Sequence, residues 1–414
     1  MAPERSKSLR AITRRYYSVS AVYSFAGGFL FGVYPIFLRA RGLTQFQVNS
    51  VLAVFFVVLF LTDVPTGAFA DAMGRRRSFL MGSMLRVSAF IVYFFAHHYA
   101  IFLIAESLDG VGTTFCNGAI DAWGVDSLDD AGFEGIKDRL FSRIAQLSSA
   151  GFMISAMIGA YVADINIAYP WLLGASGWAV SALVGAYLMR GEKPRAIHVA
   201  WSRMPAEIVR QVGDGMRNGF AARTVMMLSV AGAIQIAALA PYWLEWPIMF
   251  NENLRVGVWI IGWIYCGLTV ARMIGAELAA RMAMDESARA ARICLFVGAA
   301  AVLLFVAGVF GSRPMIVLGV LFVMNLFTGA LQPLIQSWFN EQIEAGQRAT
   351  LLSFSSTFQT MGGAVGLLFA GRIADTAGIP FQWQTGGLIL LCTIPFYLAA
   401  RPRLAPAAVA ASTN

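Results

Sequence analysis

Apolar stretches of about 20 residues recur along the whole chain, separated by short polar or basic breaks. As helices, each is long enough to cross a hydrocarbon core of ~30 Å. The pattern predicts spans at residues 17–38, 49–70, 78–97, 99–124, 140–164, 167–189, 222–246, 256–280, 291–311, 314–338, 348–371 and 382–400. An even number of crossings leaves both termini on one side. The longest break, 190–221, carries Arg190, Lys193, Arg195, Arg203, Arg210 and Arg217 and divides the spans six and six. It separates an N-terminal unit, 1–189, from a C-terminal unit, 222–414. Its stretch 205–219 reads either as an amphipathic helix on the bilayer surface or as plain linker.

Composition supports the membrane reading. Of 414 residues, 58% are hydrophobic and 13% charged, with a mean hydropathy of +0.66. A soluble chain carries about twice that charge. The net charge of +8 does not point to nucleic acid, because the basic residues sort by membrane side. Of 31 Lys and Arg, 20 fall in loops and tails on the side of the N-terminus. Four more (Arg143, Arg223, Arg292, Arg348) sit at span ends on that side, and five lie on the other. Positive charge is retained in the cytoplasm. Both termini are therefore expected there, in a multi-pass protein of the plasma membrane. The basic N-terminus runs into a segment of transmembrane length, unlike a cleavable leader. Cys116, Cys266, Cys294 and Cys392 lie inside apolar segments and imply no disulfide framework.

The two units align at an offset of 211. Gly118-Ala-Ile-Asp121 matches Gly329-Ala-Leu-Gln332, and Arg139-Leu-Phe-Ser142 matches Thr350-Leu-Leu-Ser353. Gly151 matches Gly362, and Ala163-Asp164 matches Ala374-Asp375. Gly275-Ala-Glu-Leu-Ala-Ala reads as an eroded copy of Gly67-Ala-Phe-Ala-Asp. Duplicated six-span units place a binding site at mid-membrane between them.

Between spans 2 and 3 the chain reads Thr62-Asp-Val-Pro-Thr-Gly-Ala-Phe-Ala-Asp-Ala-Met-Gly-Arg-Arg-Arg77. Gly67, Ala70, Asp71, Gly74, Arg75 and Arg76 follow the pattern of this loop in the major facilitator superfamily, which the chain resembles over its whole length. Ala72 departs from it, where the family carries Arg. Arg348-Ala-Thr through Ser353, after Pro333 and Asn340, resembles the run after span 10 in bacterial drug-efflux members. The resemblance implies an all-α membrane protein of 12 transmembrane helices in two pseudo-symmetric six-helix halves. It also implies a cytoplasmic gate formed by Gly67, Asp71, Gly74, Arg75 and Arg76, with Asp126, Asp129 and Asp130 as candidate partners. The plainer alternative is that these arginines only set topology.

Glu106, Asp109, Gly110, Thr113, Asn117 and Asp121 step mostly by three or four along span 4 and so share one helix face. Carboxylates at membrane depth cost at least ~2.5 kcal/mol each and face a cavity or a partner. Drug-efflux relatives carry Arg where this chain has Glu106, in an Arg-x-x-x-Gly-x-Gly pattern of which Gly110 and Gly112 remain. Glu106 is expected to be the titrating group, Asp109 its modulator and Arg86 a counter-ion. A static pair of Arg86 with either carboxylate is the alternative. Asp63, beside Pro65, fits a proton, gate or capping role. Antiporters of the superfamily carry a Gly-Pro pair in span 5. Here Gly151 and Gly159-Ala160 stand without Pro.

Further cavity candidates are Tyr23 and Tyr34 in span 1, Gln235, Tyr242 and Trp243 in span 7, Asn325 and Gln332 in span 10, and Gln359 in span 11, with Thr113, Asn117 and Asp121 of span 4. Helix–helix hydrogen bonding competes for each amide. Arg272 and Glu277 in span 8 are expected to form a structural pair. His97 and His98, as neighbours at a helix end, point about 100° apart and make a poor metal clamp. No phosphate loop, zinc spacing or nucleophile–base constellation is present in the sequence. Neither metal, cofactor nor enzymatic chemistry is expected. The expected activity is alternating-access secondary transport of a small, lipophilic molecule, with proton-coupled efflux by a monomer as the leading version. Import of a metabolite, or a non-transporting receptor, are the alternatives.

Overall fold

A computed structural model describes residues 2–133, 137–190, 213, 223–282, 286–343 and 348–400. The predicted linker, 190–221, lies almost wholly outside the described residues. Among those described, the regular structure is entirely helical. The first span is longer than predicted and is broken. Helix α1 (Ala2–Gly28) gives way to a turn at 29–32 and then to α2 (Val33–Ala40). Gly32 sits at φ +79°, a backbone region that favours glycine.

The remaining helices are α3 (Gln45–Met73), α4 (Arg75–Phe95), α5 (Tyr99–Asp130), α6 (Lys137–Ile165), α7 (Tyr169–Leu188), α8 (Arg223–Leu254), α9 (Trp259–Arg281), α10 (Glu286–Val309), α11 (Pro314–Glu341), α12 (Arg348–Ala377), α13 (Ile379–Leu391) and α14 (Ile394–Ala399). Among the described residues, nine spans, counting α1 and α2 together, are long and apolar enough to cross a bilayer by length and composition. The other three crossings are α5, α12 and the broken pair α13–α14. Helix α5 falls short in hydropathy because its polar stripe occupies a full face.

The chain folds back and forth between two ends, here the proximal end, where α1 begins, and the distal end. Local chemistry fixes the reversals. At the distal end Thr44 and Gln47 form a capping box that starts α3. At the proximal end Gly74, at φ +99°, lets α3 reverse into α4 without a loop. His97 and His98 lie in the connection between α4 and α5 rather than on a helix. There His97 contacts Arg41 and the Phe95 carbonyl.

Inside lipid there is little hydrophobic drive between helices, so close van der Waals packing through small residues holds them together. A Cβ at Gly28 would overlap the Phe152 carbonyl, and one at Gly159 the Phe29 carbonyl, so α6 crosses the first span with backbones touching. Gly275 and Gly329 do the same between α9 and α11, against Leu326 and Arg272 respectively. The sequence repeat has a structural counterpart. Gly151 of α6 lies against the Ala21 carbonyl, and Gly362 of α12 against that of Ala233. Large apolar side chains such as Leu61, Phe95, Leu183 and Phe369 stay exposed on the outside. In a membrane protein that is the lipid-facing surface.

Candidate functional site

Polar and aromatic side chains of α1, α2 and α7 converge on α4 and α5. Arg86 of α4 reaches Asp109 of α5 through two parallel bonds, Nε to Oδ1 at 2.7 Å and Nη2 to Oδ2 at 3.2 Å. The guanidinium also lies 3.7 Å from the Trp178 ring centre, a cation–π contact. Tyr23 joins from α1: it accepts a bond from Arg86 Nη1 at 3.4 Å and donates to Asn117 Oδ1 at 3.1 Å. The pair is only slightly exposed, 12% and 13%. Bidentate geometry and stacking suit Arg and not Lys.

Glu106, one turn from Asp109, points elsewhere. It is 5% exposed, and Tyr93 of α4 donates its hydroxyl to Glu106 Oε2. The Tyr93 ring stacks on Trp171 at 3.9 Å with 9° between planes. Tyr34 packs edge-on against Tyr93 and at a tilt against Trp171. Of the two pairings open to Arg86, the structure makes the one with Asp109. From α4, Arg86 and Tyr93 are two turns apart and each meets the carboxylate at its own depth.

The other candidates divide. Asn117, Asp121 and Gln332 are exposed in the proximal halves of their helices, and Asp121 accepts the Tyr16 hydroxyl at 2.7 Å. Asp63 is exposed on α3. The Thr113 hydroxyl is buried and has no partner among the described residues. Gln235 serves helix packing, since Tyr397 donates to its Oε1 at 2.8 Å. Tyr242 and Asn325 are buried against each other at 3.0 Å. Gln359 donates to Ser355 of its own helix. Trp243 is 36% exposed, with the Arg272 guanidinium 5.6 Å from its ring centre. The expected Arg272–Glu277 pair is absent. Glu277 meets Arg281 at 2.7 Å instead, because residues four apart share a helix face and residues five apart do not.

At the proximal turn, Arg75 Nη2 meets Asp71 Oδ1 at 2.6 Å, and Arg76 donates to the Ala186 carbonyl at 2.8 Å. Among the described residues, no side chain or backbone comes within 4 Å of the position a Cβ would take at Gly67.

Contacts between the two sets of helices gather at the distal end. Asp375 of α12 accepts from the backbone N–H of Gln45 at 2.7 Å and of Phe46 at 3.1 Å, at the start of α3. Asp164 of α6 accepts from Val258 N–H at 2.8 Å, at the start of α9. Glu245 of α8 is fully buried, and its Oε1 accepts from Asn49 of α3 at 3.1 Å. Asn49 also donates to the Leu367 carbonyl and accepts from Gln45. In the sequence Asp164 and Asp375 stand out only as matched repeat positions, and nothing marks Glu245. Which helix a carboxylate caps depends on tertiary packing that periodicity does not contain.

The profile of the Major Facilitator Superfamily matches residues 16–366, and the chain belongs to that family. It is similar to Multidrug resistance protein 2 of Bacillus subtilis (strain 168), 22% identical over 151 residues, 36% of each chain. It is also similar to the uncharacterized MFS-type transporter YxaM of the same organism, 24% identical over 160 residues, 38% of this chain and 39% of that one. The aligned stretches thus span somewhat over a third of these curated relatives. Among solved structures, a mutant of the nucleoside transporter NupG superposes with a TM-score of 0.76 at 10% identity. That match covers 94% of this chain and 100% of the NupG chain, and it shows the shared fold.

Proposed function

We propose that the chain is a secondary active transporter that exports a small, largely apolar molecule in exchange for protons. In this reading the proximal end faces the cytoplasm of a plasma-membrane protein. Residues 1–189 and 222–414 rock against one another as a monomer, tethered by 190–221. The observation that carries the reading is the split of two carboxylates one turn apart at membrane depth. Asp109 is committed to Arg86, whereas Glu106 rests on a neutral tyrosine.

Asp109 compensates Arg86 and holds it against Trp178, beside Tyr23 and Asn117 on the cavity wall. That frees Glu106 to gain and lose a proton at Oε2 as the surrounding helices expose or seal it. Tyr93, clamped by Trp171, orients the carboxyl. Asp71 and Arg75 act at the proximal turn, and the contacts of Asp164 and Asp375 close the distal end in this state. The similarity to a protein named for multidrug resistance supports export and an apolar cargo. So does the aromatic lining.

The test is accumulation of lipophilic dyes in cells expressing the chain, its Glu106→Gln variant and its Asp71→Asn variant, with and without a protonophore. Lower accumulation that vanishes with protonophore and with Glu106→Gln is the expected result. Undiminished export by Glu106→Gln would remove the proton from α5. No effect on any dye, with the protein verified in the membrane, would favour uptake of a metabolite.

A further inference from the structure

Arg86 and Arg272 both lie deep within spans, and among the described residues only Arg86 is neutralised. Arg86 has Asp109. Arg272 of α9 has no carboxylate at ion-pair distance among the described residues. Glu277 is taken by Arg281, and Glu245, two positions from Trp243, turns away to Asn49. A lone cation at membrane depth is costly and marks a substrate or ion path.

The surroundings of Arg272 place it on the path between the two sets of helices and not toward lipid. Tyr265 and Arg272 are seven residues apart and share a helix face. The Tyr265 ring meets Phe31 at 4.3 Å and Phe152 at 6.1 Å, both from the opposite set. That face of α9 therefore looks across the molecule. From α8, Trp243 covers the guanidinium at 5.6 Å while remaining 36% exposed itself. The planar fork of Arg272 is free to bind two oxygens.

We propose that Arg272 and Trp243 form the cargo-anchoring site, and that the cargo is a monoanion: a carboxylate or sulfonate on a flat apolar body. This deepens the transport reading above and rests on it. The oxygens take the Arg272 fork in bidentate fashion, and the body lies against Trp243 and the aromatic face of Tyr265. One cation among aromatics suits one negative charge. A sugar phosphate or dicarboxylate would leave charge unmatched.

The purified full-length protein is titrated calorimetrically with 1-naphthoate and with two analogues of like shape, neutral 1-naphthalenemethanol and cationic 1-naphthylmethylamine. Naphthoate is expected to bind about tenfold tighter than the alcohol, and the amine weakest. Arg272→Gln is expected to remove that preference while leaving the alcohol unchanged. Arg272→Lys retains part of it, because charge without the fork is kept. Trp243→Leu weakens naphthoate and alcohol alike. Equal binding of naphthoate and alcohol, a preference that survives Arg272→Gln, or no naphthoate binding up to about 1 mM each overturns the site. Proteoliposome flux separates the two readings. Arg272-dependent binding without naphthoate flux in the wild type, under any proton gradient, leaves the site standing and removes the transport reading. Flux lost in Glu106→Gln with binding intact supports both.

Discussion

Asp375 closes the first turn of α3 from the other side of the molecule, accepting the backbone N–H of Gln45 at 2.7 Å and of Phe46 at 3.1 Å. Asp164, 211 positions earlier, serves the start of α9 in the same way through Val258. A carboxylate at a helix N-terminus gains from both the bonds and the helix dipole. Asp375→Ala and Asp164→Ala should each weaken the distal closure by about 1 kcal/mol, roughly fivefold in population. In a background with the four native cysteines replaced by serine, a cysteine at buried Ala364 would report it. Its labelling by a membrane-impermeant maleimide should speed up in each single variant, and the two effects should add. Unchanged rates in both would show that these caps do not hold the distal end.

Asp109→Asn leaves the Arg86 guanidinium in a nearly closed site with no countercharge. Breaking one side of such a pair costs about 3–5 kcal/mol. The apparent melting temperature in detergent should fall by several degrees, and flux should be lost. Arg86→Gln combined with Asp109→Asn should recover much of the stability but not the flux. Recovery of both would assign the pair to packing alone.

Tyr93→Phe removes the hydroxyl donated to Glu106 while keeping a ring to stack on Trp171. Loss of a hydrogen bond to a charged or exchangeable carboxyl is worth about 1.5–3 kcal/mol. The melting temperature should fall by a few degrees, and proton-coupled flux should drop at least about tenfold with a displaced pH profile. A flux and pH profile equal to wild type would remove Tyr93 from the coupling machinery.

Glycine substitutions should separate by location. A Cβ at Gly275 would run into the Leu326 backbone, which cannot yield, so Gly275→Ala should lower the melting temperature markedly. Gly67 and Gly118 have nothing within 4 Å of the same position. Gly67→Ala and Gly118→Ala should leave stability unchanged. If the proximal ends come together elsewhere in the cycle, as the Gly67–Arg76 turn suggests, they should still slow turnover. Normal turnover in both would argue that no such approach occurs at these glycines.

Periodicity located the crossings well, because lipid imposes one length and one polarity on every span. It missed the break at 29–32, since a single glycine at positive φ leaves no trace in hydropathy. The polar face of α5 was legible for the same reason that the spans were: a 3.6-residue stripe is a local property. Its pairing was not. Arg86 is almost equally far in sequence from Glu106 and Asp109, and the choice follows from how α4 is set against α5. Arg272 was assigned to Glu277 by proximity along the chain, but helix geometry gives Glu277 to Arg281. Asp164 and Asp375 were visible only as matched letters in a repeat. Their partners belong to the opposite set of helices and are distant in sequence.

The bare glycine crossings have a mechanical meaning. Where α6 meets the first span at Gly28 and Gly159, and α9 meets α11 at Gly275 and Gly329, main chain bears directly on main chain. Apart from the Ser155 hydroxyl beside Gly28, backbone is the nearest neighbour at each crossing, so each pair is expected to move as a stiff unit. If the two sets of helices rock as proposed, the seam at Asp164 and Asp375 is the short arm of the movement, and a small opening there becomes a larger displacement at the proximal end.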